Sequence, residues 1–214
     1  MPRLAHFALA VGIVFTLCAG CGDRIRFASE MKMVMSFFGL SAVNEIEARL
    51  DPAMLERLGG EVPAVWPDNL PAVSMLIPLD IAMLIDRSEL QQLGSDLAAA
   101  PREGFEIRLR RIHWSLDSDF RHPLIDLEVR VGTEGQGGLE FDEAHLVGHL
   151  EGLEIGHGEL VFAPGGRRAM IDHLLDERYL VLVRATMLFD TNLETTRPTD
   201  SATLELNVYV DVLK

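Results

Sequence analysis

"ATLELNVYVDVL", residues 202–213, decides the fold class. Leu204, Leu206, Val208, Val210 and Val212 take alternate positions, with Thr203, Glu205, Asn207, Tyr209 and Asp211 between them. Successive side chains of a strand point to opposite faces, so this segment sets one face on a core and turns the other to water. A helix would scatter the same residues around its circumference.

The period recurs on working back through the chain. "RYLVLVRATMLF" (178–189) carries it, as does "LIDLEVRV" (124–131), where Ile125, Leu127, Val129 and Val131 alternate with Asp126, Glu128 and Arg130. "FEIRLRRIHWSLD" (105–117) alternates as far as Arg110-Arg111 and resumes one place out of step at Ile112, Trp114 and Leu116. Such a slip is the mark of a bulge. "SMLIPLDIAMLID" (74–86) puts Met75, Ile77, Leu79, Ile81, Met83 and Ile85 on one face. "NEIEARL" (44–50) reads as a strand through Ile46, Ala48 and Leu50, and "MKMVMSFF" (31–38) is strand-like.

Two short helices are expected. One starts at Asp51-Pro52, with the acid as cap and the proline at the first position, and stops at Gly59-Gly60. The other is "ELQQLGSDLAAA", opened by Ser88 and closed by Pro101. "GGEVPAVWPDNLPAV" (59–73) is an ordered loop, and "APGGRRA" (163–169) a turn with two arginines. Many short strands separated by turn signals predict an all-β fold: an antiparallel β-sandwich with one or two short helices. A membrane barrel needs an outward apolar band with aromatic girdles, which 7% aromatic residues do not provide.

The N-terminus gives an address. Arg3 precedes an apolar run from Phe7 to Leu17, then small residues, then Cys21. A basic start, an apolar core and a small-residue exit describe a secretory signal. The cysteines at positions 18 and 21 are the chain's only two, spaced as a CxxC, but a folded zinc or redox loop does not sit in so early and apolar a segment. Cys18-Ala19-Gly20-Cys21 resembles the lipobox of bacterial lipoproteins, with cysteine at the usually aliphatic position. The resemblance implies cleavage before Cys21, a diacylglycerol on its thiol and acylation of the new amino group. It divides the chain into a signal at 1–20, a short lipid tether at 21–30 and a single domain at 31–214. Gly22 after the cysteine resembles the pattern sent to the outer membrane where a cell has two. The competing reading is an uncleaved anchor over residues 4–22, which carry no formal charge.

The chain has 33 Asp and Glu against 19 Lys and Arg, a net charge of −14. Loss of Arg3 with the signal makes it one more negative. That balance excludes nucleic acid as a partner and leaves the acyl chains to do the anchoring.

Two stretches hold candidate ligands. "FDEAHLVGHLEGLEIGHGE" (141–159) has His145, His149 and His157 among acids, the residue types that zinc takes. Its glycines disfavour a helix. On a strand, His145 and His149 share a face but stand about 13 Å apart, too far for one ion. "DTNLETTRPTDS" (190–201) offers Asp190, Asn192 and Glu194 as oxygen ligands for calcium, although Thr195 stands where an EF-hand loop needs glycine. Neither metal is required by the sequence. GxSxG and GxxxxGK[ST] are both missing from the chain, so no catalytic residue is assigned.

The functional expectation is a membrane-anchored envelope lipoprotein with a binding, adhesive or structural role, recognising an envelope protein or a glycan through loops such as 132–138 and 190–201. The alternatives are a metal-dependent enzyme or metal-binding protein centred on 142–159, and a periplasmic carrier of lipid or another apolar ligand.

Overall fold

The computed structural model describes residues 25–86, 106–133, 141–150, 156–174 and 178–213. In chain order the elements are β1 (Ile25–Phe38), α1 (Gly39–Arg49), α2 (Pro52–Arg57), β2 (Ser74–Asp86), β3 (Glu106–Ser118) and β4 (Leu124–Gly132). A single 3-10 turn at Phe141–Glu143 leads to β5 (His145–Leu150) and β6 (His157–Phe162), then α3 (Gly166–Leu174), β7 (Arg178–Asp190) and β8 (Ser201–Leu213). The expected helix after Ser88 and most of the 132–138 loop lie outside the described residues.

The protein is all-β and antiparallel, as the alternation predicts. Among the described residues eight strands follow the order β1-β8-β3-β6-β5-β4-β7-β2. β6 joins the two halves of this sheet: His157 to Glu159 pair with β3, while Leu160 to Phe162 pair with β5. A strand that changes partner midway makes a corner, and the sheet folds back over its own inner face. The two edge strands, β1 and β2, come within 8 Å of each other between Cα atoms. No ladder joins them among the described residues.

Among the described residues one large hydrophobic core fills the fold, and a small second cluster of Phe141, Ala144 and Leu182 lies apart from it. Met31, Met33, Met35 and Phe37 of β1, the odd-numbered residues of β7 and the even-numbered residues of β8 through Val210 are all buried in the large core. β3 bulges between Leu109 and Arg111, so that Ile107 and Leu109 on one side and Ile112 and Trp114 on the other all reach the interior. The slip read at Arg110-Arg111 is therefore real. Tyr179 is also buried, its hydroxyl donating to Met31 Sδ at 3.7 Å. Desolvation pushes that phenol far above its ordinary pKa. Thioether sulfur is a weak acceptor, so Tyr179→Phe is expected to change stability by less than about 1 kcal/mol in chemical denaturation.

Three local readings change. Residues 44–49 belong to a helix rather than a strand, with Leu50 as its C-cap: Gly39, Ala42, Val43 and Ile46 are buried at helical spacing. Gly39 at its start is pressed against the Pro198 carbonyl, where a side chain has no room, and its N–H donates to Asp200 O at 2.9 Å. The two arginines of 163–169 open α3 instead of lying in a turn. Ile125 does not join Leu127 and Val129 inside. The register shifts between Leu124 and Asp126, leaving Ile125 49% exposed. Asp51 caps α2 as expected, its Oδ1 accepting from Ala53 N at 2.8 Å and Met54 N at 3.3 Å. β1 begins at Ile25, ahead of Met31, where the sequence reading starts the domain.

Candidate functional site

The strand directions sort the chain into two ends. Ile25 and Glu106 both lie opposite Leu213, so the start of β1, the start of β3 and the end of β8 share one end. α3 is at this end too, with Arg167 Nη1 donating to Leu109 O at 3.2 Å. The other end carries α1, α2, the 59–73 loop and the 190–200 loop. These are stitched together: Trp66 N donates to Thr195 O at 2.7 Å, and Arg197 N to Ala64 O at 3.0 Å. His122 is buried against Phe189, with Nε2 2.8 Å from Thr196 O.

The three candidate histidines go to three places. His145 stands at the start of β5 against the ring of His173 on α3, centroids 5.7 Å apart. His157 opens β6 opposite Ser115. His149 points outward from β5, with Nδ1 3.7 Å from Asp126 Oδ1. Among the described residues, the one group of three potential ligands joins His149 to Asp126 and Glu128, and not to His145 or His157. Their ligand atoms lie within 4.8 Å of one another.

Two bulges frame this group. β4 shifts register between Leu124 and Asp126 against β7, and again between Val129 and Arg130 against β5. The second shift absorbs Val147 into the core and sets His149 directly opposite Glu128. Asp126 and Glu128 follow from the outward set of "LIDLEVRV". The sequence carries no sign that His149 is their cross-strand neighbour.

The 190–201 candidates serve turns. Asp190 Oδ1 accepts from Asn192 N at 2.9 Å and Asn192 Nδ2 at 3.0 Å. Glu194 Oε1 accepts from Thr196 N at 2.8 Å and Thr196 Oγ1 at 2.7 Å. The Asn192 and Thr196 backbone N–H groups are the main causes holding the two carboxyls below their ordinary range. With folded-state pKa values below the unfolded ones, both turns contribute stability above the ordinary carboxylate range and lose it as pH falls through the folded values. Amide protection at Asn192 and Thr196 should accordingly fall in acid before that of β7 and β8 does, as hydrogen exchange would show.

Outside the sheet, the turn at 141–144 lies over β7. Arg184 forms a bidentate pair with Asp80, both bonds at 2.7 Å, and reaches Asp142 at 3.2 Å. Its guanidinium lies 3.9 Å from the centroid of Phe141. The Asp80 hydrogen bonds are the leading cause that raises its pKa further. Half-exposed pairs are screened by water, so Arg184→Ala should cost only about 1 kcal/mol in a melt. It should also loosen the 141–144 segment, seen as faster amide exchange at Ala144.

No protein-family model matches the chain, and neither a curated protein nor a solved structure is found to match it. No described helix is long and apolar enough to cross a membrane.

Proposed function

We propose that the protein is a lipid-anchored component of the cell envelope whose far end binds a partner, in a binding or structural role rather than a catalytic one. The observation that carries this reading is where the exposed apolar residues fall. Among the described residues, Phe38, Leu40, Val65, Leu76, Leu84, Ile125, Val161 and Leu193 are large and exposed, Leu40 at 70% and Leu193 at 68%. All but Leu84 and Val161 belong to the end remote from Ile25, beside exposed Glu56, Glu61, Asp68 and Asp119 and exposed Arg49, Arg57 and Arg121. Apolar groups gathered at one end and rimmed by charges of both signs mark an interaction site.

The anchor end supports the same orientation. Cys21 and the first residue of β1 are separated only by Gly22, Asp23 and Arg24, a span of at most about 14 Å. Arg108, Arg110 and Arg111 of β3 and Arg167 and Arg168 of α3 are at this end, in a chain that is acidic as a whole. Asp211 is 3.5 Å from Arg110, and Asp172 pairs with Arg168 at 3.0 Å. Arg111 is likewise 3.9 Å from Glu159, so these arginines are largely matched by acids and the acyl chains carry the anchoring.

Mass spectrometry of the N-terminal peptide from the membrane fraction tests the anchor. A diacylglyceryl and N-acyl Cys21 is expected, whereas an unmodified peptide beginning at Met1 would sink the reading. For the far end, a photo-crosslinking residue at Leu40 or Leu193 should give a discrete adduct in cells, and the same probe at Val161 should not. Equal adducts at all three positions would remove the case for a binding end.

A further inference from the structure

We propose that Asp126, Glu128 and His149 form a zinc site on the outer face of the sheet, joining β4 to β5. One imidazole and two carboxylates are a donor set that zinc accepts, with water free to complete the tetrahedron. Zinc–donor bonds near 2 Å place tetrahedral donors about 3.3 Å apart. The three ligand atoms are already within 4.8 Å of one another, on half-buried side chains.

Charge favours a cation there. Arg184 lies opposite Glu128 on β7, but its guanidinium is committed to Asp80 and Asp142. Arg130 remains, with Nε 3.3 Å from Glu128 Oε2. Arg130 is itself shared, Nη1 donating to Ala144 O at 3.1 Å and the guanidinium lying 4.9 Å from the Phe141 centroid. Two carboxylates thus face one divided cation. The site begins beside Ile125, on the sheet face towards the far end, and the role it implies is structural. The ion would cross-link β4 and β5 where both ladders are irregular, the places a sheet is least well held by its own hydrogen bonds.

The test is zinc uptake by the full chain purified in detergent, measured as stoichiometry after dialysis and as affinity by competition with a chromophoric chelator. One zinc per chain is expected, with a raised melting temperature. His149→Ala and Asp126→Asn should each weaken binding at least tenfold, while His145→Ala and His157→Ala leave it unchanged. Arg130→Gln should tighten it by freeing Glu128, a change that a variant damaged in folding would not produce; circular dichroism checks that all variants keep their strands. Absence of stoichiometric uptake, or uptake that survives His149→Ala or fails in His157→Ala, would overturn the proposal.

Discussion

Replacing Trp114 with alanine is expected to remove about 3–5 kcal/mol of stability. The side chain is 2% exposed and lies among the largest buried residues of the core. Its indole packs on Gly158 of β6, whose missing side chain makes the room: a Cβ there would meet the ring at 3.0 Å. Typical domains are stable by only about 5–15 kcal/mol, so the variant should be marginal at growth temperature. Trp114→Phe makes an informative pair with it. The indole N–H has no hydrogen-bond partner among the described residues, so phenylalanine gives up no bond and relieves a buried donor. The expected loss is about 1–2 kcal/mol, from volume alone. Urea melts of the two variants check both figures, and equal losses would mean that the ring volume is not what matters.

Gly148→Ala should do comparable harm from the opposite cause. Gly148 pairs with Phe162 where β5 meets the second half of β6. A Cβ built on it would run into the backbone carbonyl of Val161, which belongs to a strand and cannot swing aside. Forcing one methyl into a packed backbone costs about 1–3 kcal/mol, and more where the contact is with main chain. The upper part of that range is expected, read as a lowered urea midpoint. The variant should also lose protection selectively at the β5–β6 amides, since the strands must part to admit the methyl. Gly59→Ala is a control of another kind: nothing lies within 4 Å of its Cβ position, and only its φ of 88° resists substitution.

The strands were legible because burial on one face imposes a local rule that each strand obeys by itself. The final strand states it most fully, with five apolar residues alternating against five polar ones. The bulge at Arg110-Arg111 was legible for the same reason, as a break in that rule. Residues 44–50 misled because Ile46 and Leu50 satisfy both a period of two and a helical turn. The evidence for the helix lies earlier, in Ala42 and Val43, which are adjacent and both buried. Ile125 misled because a bulge at Asp126 leaves no trace when the extra residue is itself apolar.

The candidate site was half legible. Asp126 and Glu128 stood on the water-facing side of a strand, and His149 among the metal-ligand residue types. Their meeting depends on the register of β4 against β5, which the extra residue at Val147 displaces by one place. Register is a long-range quantity, set by packing and turns rather than by either strand's composition. No local pattern encodes it.

The direction of β1 has a mechanical consequence. Its first residue is beside the proposed lipid anchor, and its last, Phe38, is at the end proposed to hold a partner. Tension between membrane and partner would therefore run along the strand rather than across it. The ladder to β8 extends from Ile25 to Phe38, and antiparallel hydrogen bonds stand perpendicular to their strands. Such a pull loads the ladder's bonds together in shear instead of peeling them one at a time, so the edge strand nearest the tether is oriented to carry force.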